Sequence, residues 1–328
     1  MNKTRNDRVL IIDSLNSYMR IFSSMSDISE RGDYIGGILG FLRSIGSNIR
    51  DFKPTRCILV WDGSGGSQRR KKVFPEYKAN RNGSSGLRKD LFSSVEEEKQ
   101  VMRTQMAQIF KYFENLPVEV YCVPNVEADD VIAYMTMQYF KPLDSKVRIV
   151  STDRDFLQLV SPNVEIYSPV KKKLYTNENF YQELNLTPEE YLTFRVVTGD
   201  VSDNIDGVPG IGLKTLVKSF PQPTSIQRLI EESKQKIQEE KKPKQIFKNI
   251  VENEQLLERN YYLMQLQETD ISGATKINLF ERLENPKISK TNNYQIRKLM
   301  MEDGLATVFK NVDEWLLMTF SGLNVWTT

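Results

Sequence analysis

Four short apolar runs stand out in the first half of the chain: Val9–Ile12, Cys57–Trp61, Val118–Val123 and Val147–Val150. Each reads as a buried strand, and Val164–Tyr167 is a shorter candidate of the same kind. Between them the period changes to that of a helix. Ile35–Ile49 places Ile38, Leu39, Leu42 and Ile45 on one face. Glu96–Leu116 begins acidic and becomes amphipathic through Met102, Met106, Ile109, Phe110 and Phe113. Val126–Phe140 continues the pattern with Val131, Ile132, Tyr134 and Met135. Strands alternating with helices in this way predict an α/β fold, with a mostly parallel central sheet flanked by helices.

After about Leu184 the pattern is helical, so the chain divides into an α/β unit over residues 1–185 and a helical region over 186–328. Thr187-Pro188-Glu189-Glu190 is a helix start: Thr187 as N-cap, Pro188 in the first turn, and Glu190 closing a capping box. Glu231–Lys244 is charge-rich, is broken by Pro243, and reads as an exposed helix and linker. Ile246–Leu266 reads as one amphipathic helix. Asn80–Gly86 is a breaker-rich loop. There are no internal repeats.

Composition narrows the chemistry. Of 328 residues, 39% are hydrophobic and 27% charged, as in ordinary globular proteins. No apolar run reaches the ~20 residues of a membrane span, and the N-terminal apolar stretch is too short for a signal peptide. The expected location is the cytoplasm, and Cys57 and Cys122, each in an apolar run, are expected as buried reduced thiols. The chain has no histidine. That excludes a Ser-His-Asp triad, an imidazole base and zinc-hydrolase motifs, leaving carboxylates, lysine, tyrosine or a metal for hydrolysis. The net charge of +2 says little, but Arg69, Arg70, Lys71, Lys72, Lys78, Arg81, Arg88 and Lys89 crowd one stretch. They form either a solvated basic loop or a phosphate-binding strip.

Acidic residues follow the end of each main strand. Asp13 follows the first and Asp62 the second. Glu127, Asp129 and Asp130 follow the third, and Asp153 and Asp155 the fourth. In an open parallel sheet those ends line the ligand crevice. Any one of them could be a helix cap, but as a set they would repel and raise one another's pKa. A divalent cation removes that conflict, and all-oxygen ligation suits Mg²⁺ or Mn²⁺. Two such ions can hydrolyse a phosphodiester without histidine. Asp200 and Asp203, at i and i+3, would share one face of a helix.

A glycine-rich turn follows, from Asn204 to Thr215, with Gly207, Gly210 and Gly212. Glycines at this spacing permit tight turns and close backbone approach, and Lys214 adds a charge. It is neither a dinucleotide fingerprint nor a Walker loop. It reads as a hairpin between helices that grips a sugar-phosphate backbone without reading sequence.

Taken together, these stretches resemble the flap endonuclease and 5′-3′ exonuclease family, which includes the 5′-nuclease domain of bacterial DNA polymerase I and stand-alone bacteriophage nucleases. The matching segments are Leu10–Asp13, Trp61–Gly63, Phe74–Arg81 (FPEYKANR), Val126–Asp130 (VEADD), Ser151–Phe156 (STDRDF) and Gly199–Gly212 (GDVSDNIDGVPGIG). They occur in family order, and the likeness covers roughly residues 9–268.

The resemblance implies that Asp13, Asp62, Glu127, Asp129, Asp130, Asp153, Asp155, Asp200 and Asp203 hold two Mg²⁺ ions, with Mn²⁺ as a substitute. Lys78 and Arg81 would contact the scissile phosphate at the base of a helical arch over about residues 74–105, its tip at 82–94. Tyr77 would stack on a base near the cut. Residues 187–220 would form a helix–three-turn–helix element holding duplex DNA, and a K⁺ ion through backbone carbonyls. Arg69, Arg70, Lys71, Lys72, Gly207, Gly210, Gly212, Lys214 and Thr215 would be nucleic-acid contacts. The implied activity is structure-specific hydrolysis of flaps and 5′ ends in DNA or RNA/DNA hybrids, in primer removal and repair. The implied partners are branched DNA and replication proteins, a single-strand binding protein or clamp, for a monomeric enzyme away from membranes.

Asp206 departs from the family pattern by adding negative charge to the expected phosphate track, and no polymerase segment follows, which suggests a free-standing nuclease. Residues 275–328 carry no assigned motif; the apolar segment Trp315–Trp326 is expected to pack on the helical half, with docking of a replication protein as the alternative. Two rival functions remain at this point. One is a branched-DNA binder that has lost its metals, against which the complete acidic set speaks. The other is a four-carboxylate single-strand ribonuclease, against which the glycine turn speaks.

Overall fold

The computed structural model describes residues 4–80, 88–220, 222, 224–269 and 271–327. Through the first half the chain forms β1 (Arg8–Asp13), α1 (Ser14–Ser24), α2 (Gly36–Phe52), β2 (Arg56–Trp61), α3 (Gln68–Val73), α4 (Val95–Phe113), β3 (Glu119–Cys122), α5 (Ala128–Tyr134), β4 (Lys146–Val150), β5 (Val164–Ser168) and β6 (Lys173–Tyr175). The strands form one sheet in the order β3-β2-β1-β4-β5-β6, parallel except for β6. The sequence pattern missed β6, whose three residues carry little apolar signal.

Alternation along the strands sends side chains to two cores. Leu10, Ile12, Leu59 and Trp61 join α1, α2 and α4 on one face. Val9, Ile11, Ile58, Val60, Val147 and Ile149 meet α5 on the other.

The second half forms α6 (Phe180–Leu184), α7 (Pro188–Thr198), the two-residue pair β7 (Gly199–Asp200) and β8 (Ile205–Asp206), α8 (Leu213–Ser219), α9 (Ile226–Glu239), α10 (Gln245–Glu252), α11 (Glu254–Met264), α12 (Gly273–Glu284), α13 (Asn293–Glu302) and α14 (Val312–Asn324). The capping box at Thr187 and Glu190 is present as expected. The single helix expected over Ile246–Leu266 is two, broken at Asn253. Helices α7 to α11 enclose a third core built on Val196, Val208, Leu216, Leu229, Phe247 and Leu257.

The last three helices leave that helical unit. Leu279 and Leu283 of α12 pack on the α5 face of the sheet, while Ile296, Met300, Leu316, Phe320 and Leu323 of α13 and α14 join the α2 face. The expectation that Trp315–Trp326 packs on the helical half is therefore corrected. Gly46 explains the fit: a Cβ there would lie 2.7 Å from the Trp315 Nε1, so only glycine lets the indole lie flat on α2.

Candidate metal centre

The parallel sheet delivers its acids to one edge. Asp13 is the last residue of β1, and its Oδ2 accepts from the Ser151 hydroxyl at 2.7 Å. Asp62 follows β2 and accepts from the Ala128 N–H at 3.0 Å, which ties it to the start of α5. Glu127 occupies the N-cap position of α5, with Asp129 and Asp130 in its first turn, where the helix dipole favours anions. Oxygens of Glu127, Asp129 and Asp130 lie within 4.8 Å of one another. Asp153 follows β4 and accepts from the Asp155 N–H at 2.8 Å.

Asp200 and Asp203 do not share the α-helix face that their spacing suggested; Asp200 ends β7 and caps the short turn that carries Asp203. Gly199 has φ +69°, and a Cβ there would meet the Ile205 carbonyl oxygen at 2.4 Å, so α7 ends and the β7–β8 pair begins. Asp203 then lies in a short 3₁₀ turn, Val201–Asp203.

Electrostatics divide the acids into two groups. Burial pushes Asp13 up to about 8, opposed by the Ser151 hydrogen bond and assisted by Asp62 and Asp153. Burial likewise raises Asp153 to about 6, and burial with the Asp153 charge raises Asp155 to about 7. Asp62 moves in the same direction for the same first cause. Asp129 goes the other way: burial would raise it, but Arg70 and then Lys78 outweigh that and hold it below the usual carboxylate value. Its neighbour Asp130 is raised to about 7 by burial and by the Asp129 charge.

Two cations, Arg70 and Lys78, dominate the second group. Arg70 lies beneath the start of α5, only 1% exposed. It grips Asp130 through two contacts of 3.1 Å, reaches Asp129 at 3.3 Å, pairs with Glu127, and donates from Nε to the Leu263 carbonyl at 2.9 Å. The expectation of Arg70 as a surface nucleic-acid contact is therefore corrected, because its guanidinium is consumed inside the protein. Tyr77 is corrected for the same reason. It is buried, with its hydroxyl 3.4 Å from Glu127 and 3.3 Å from Asp203, so it has no face free for a base.

Lys78 pairs with Glu127 and lies 4.0 Å from Asp203. Its backbone is left-handed at φ 57°, and its N–H donates to the Asp203 carbonyl at 2.9 Å. Asn80 to Val201 O and Asn204 to Glu76 O complete the stitching of this segment to the turn carrying Asp200 and Asp203.

Sequence reasoning missed Arg195. It projects from α7 to Asp155 at 2.8 Å and pairs with Asp200, joining an acid of the sheet edge to one of the helical half. The signal was available: it is the single charged residue in Tyr191–Thr198. Gln158 was missed too. Its amide donates to the Asp155 and Met264 carbonyls and accepts from the Leu266 N–H, pinning the end of α11 to the site.

Of the remaining expected contacts, Arg69 lies 3.2 Å from Asp130, and Lys71 and Lys72 are exposed on α3. Arg81 and residues 82–87 of the arch tip expected over 82–94 lie outside the described residues. Gly207, Gly210 and Gly212 lie in the turn between α7 and α8, with Lys214 and Thr215 exposed in the first turn of α8. A Cβ at Gly207 would meet the Thr198 carbonyl oxygen at 2.3 Å, and Gly210 has φ +75°.

A family model of the 5′-3′ exonuclease N-terminal resolvase-like domain matches residues 8–185, and one of the 5′-3′ exonuclease C-terminal SAM fold matches residues 186–312. The chain belongs to the 5′-3′ exonuclease family. Among relatives within it, the 5′-3′ exonuclease of Buchnera aphidicola is 31% identical over 238 residues, covering 71% of this chain and 78% of that one. The 5′-3′ exonuclease of Aquifex aeolicus is 27% identical over 305 residues, covering 93% and 94%. The fold is also that of the bacteriophage T5 flap endonuclease solved with DNA and metal ions (TM-score 0.63, 19% identity, 90% of this chain and 99% of that one). Human GEN1, solved with Holliday junction DNA, has it too (TM-score 0.57, 12% identity, 96% and 72%). The chain is thus a nuclease of the 5′-3′ exonuclease family, and its cluster of Glu127, Asp129 and Asp130 could hold a metal ion. Among the described residues no helix is long and apolar enough to cross a membrane.

Proposed function

We propose that the chain hydrolyses phosphodiester bonds at flap junctions and 5′ ends of branched DNA, and in RNA/DNA hybrids, with two Mg²⁺ ions as cofactor and Mn²⁺ as a substitute. The observation that carries this reading is the meeting of two acidic sets, Asp13 to Asp155 on the sheet edge and Asp200 with Asp203 beside the glycine turn, bridged by Arg195 and Lys78. The donors fit such ions: every candidate ligand is a carboxylate oxygen, no histidine is present, and burial raises Asp13, Asp62, Asp153 and Asp155, with no lysine or arginine hydrogen-bonded to the first three among the described residues.

Asp13, Asp62, Glu127, Asp129, Asp130, Asp153, Asp155, Asp200 and Asp203 would hold the two ions, some through water. Bound ions would activate a water and neutralise charge on the leaving oxygen. The chain's own part is orientation and charge. Ser151 and the Ala128 N–H hold Asp13 and Asp62 in fixed rotamers. Lys78, relieved of Glu127 when that carboxylate turns to metal, would face the scissile phosphate and stabilise its developing charge, with Arg81 beside it. Gly207, Gly210, Gly212, Lys214 and Thr215 would track the duplex backbone, with a K⁺ ion held by carbonyls of that turn. Arg69, Lys71 and Lys72 would extend the track. The setting would be primer removal and repair by a cytoplasmic monomer working beside a single-strand binding protein or clamp.

The test uses end-labelled flap, nicked and single-stranded DNA digested with Mg²⁺, with product lengths read. Cleavage near the flap junction is expected; products from unbranched single strands alone would overturn the reading. Asp155→Ala should abolish cleavage and leave flap-DNA binding intact, whereas full Mg²⁺-dependent activity in that variant would remove it from the metal set.

A further inference from the structure

Away from the acidic centre, α14 poses a physical problem. From Trp315 to Trp326 it has no charged residue. Its Leu316, Phe320 and Leu323 are buried against the core, yet Leu317 and Met318 on the opposite face are 66% and 65% exposed. A helix apolar on both faces is expected to be covered on both.

Met318 borders a groove of about 800 Å³ whose apolar lining is Val308, Phe309 and Trp315 and whose far wall is Arg43 and Arg50 of α2, with Lys310 on the rim. These cations have no carboxylate partner among the described residues. Arg43 donates to the Val308 carbonyl at 3.0 Å and lies over the Phe309 ring; Arg50 donates to the Thr319 hydroxyl at 2.7 Å. Glu314 is the single acid lining the groove, and it accepts from Asn311.

We propose that this groove is a docking site for an acidic, amphipathic segment of a partner protein. Three unneutralised cations around an aromatic and methionine floor call for carboxylates alternating with aliphatic or aromatic side chains. The volume accommodates a few side chains rather than a folded domain. Duplex DNA fits poorly, because its phosphates would be set against Leu317 and Met318. The proposal does not depend on the nuclease reading, since none of these residues belongs to the acidic centre.

The test measures fluorescence anisotropy of a short fluorescein-labelled peptide alternating Asp or Glu with Leu or Phe. Its control has lysine in place of each acid, and the full chain is used. The acidic peptide should bind, and rising NaCl should weaken it. R43E/K310E, two exposed positions, should lower its affinity by about tenfold or more while flap cleavage is unchanged. M318E, also exposed, should do so without touching the cations. Equal binding of the lysine peptide, undiminished binding to both variants, or displacement of the peptide by a short DNA duplex would overturn the proposal. So would self-association of the chain that M318E abolishes, which would make a second copy the occupant.

Discussion

The two sides of the acidic centre solve one problem in opposite ways. At the start of α5, Glu127, Asp129 and Asp130 share the buried Arg70 guanidinium, and Lys78 adds a second cation. At the sheet edge, the hydrogen-bond partners of Asp13 and Asp153 among the described residues are neutral, a serine hydroxyl and a backbone N–H, and burial pushes both up. One side carries its own counter-charge and is structurally complete. The other is compensated only in part, by Arg195 on Asp155, and a divalent ion is proposed to supply the rest. The difference separates carboxylates that organise the centre from carboxylates that wait for a cation.

Removing the internal cation should have the largest effect on stability. Arg70→Met removes the guanidinium shared by Glu127, Asp129 and Asp130, leaving Lys78 on Glu127 and Arg69 on Asp130, and should cost roughly 3–5 kcal/mol, read as a lower urea midpoint in metal-free protein. A loss under ~1 kcal/mol would mean that Arg70 is a surface ligand after all. Lys78 tests whether the divide is strict. If it serves the chemistry rather than the fold, Lys78→Ala should slow single-turnover cleavage by about 10²-fold with DNA affinity nearly unchanged. A pure binding defect would return it to the track of DNA contacts.

On the partly compensated side the sign reverses. Asp13→Asn removes a desolvated charge and should stabilise the metal-free protein at pH 8 by about 1–3 kcal/mol, while abolishing the thermal shift produced by Mg²⁺. Destabilisation of the metal-free protein would show that Asp13 is compensated by something other than metal.

The smallest effect is in pH. Folded-state values near 8 for Asp13 and 7 for Asp155 exceed the ordinary 3.8, so the folded state binds more protons than the unfolded one. Their contribution to stability is complete below about pH 4 and is lost as pH rises through 6 to 8. Metal-free protein should therefore melt lower at about pH 8 than at about pH 5.5, and the gain from Mg²⁺ should be larger at the higher pH. A gain independent of pH would break the comparison.

Much of this was legible in the sequence because it depends on local order. A parallel strand must put its C-terminal residues on the crevice side, so an apolar run followed by aspartate located Asp13, Asp62 and Asp153 directly. What sequence order does not encode is which way a charge points in a basic run. Arg70 is buried while Lys71 and Lys72, its neighbours on α3, are exposed; the reason is the acidic start of α5, some sixty positions on, which takes its guanidinium. The Asp200 and Asp203 spacing suggested a shared helix face because an i, i+3 separation does not reveal that Gly199 sits at positive φ and ends α7. The position of Trp315 depended on a missing side chain at Gly46, a contact across most of the chain.

That last contact has a consequence for how the protein is made. The α2 face of the sheet is closed by Ile296, Met300, Leu316, Phe320 and Leu323. A ribosome that has delivered every acid of the metal centre has therefore not yet delivered the cover for the core on which those acids rest. The amino-terminal unit waits, with part of its apolar face open to water and to chaperones, until the chain has been synthesised past α14. Nuclease activity is then expected late in synthesis, even though the acids proposed to hold metal emerge before α12.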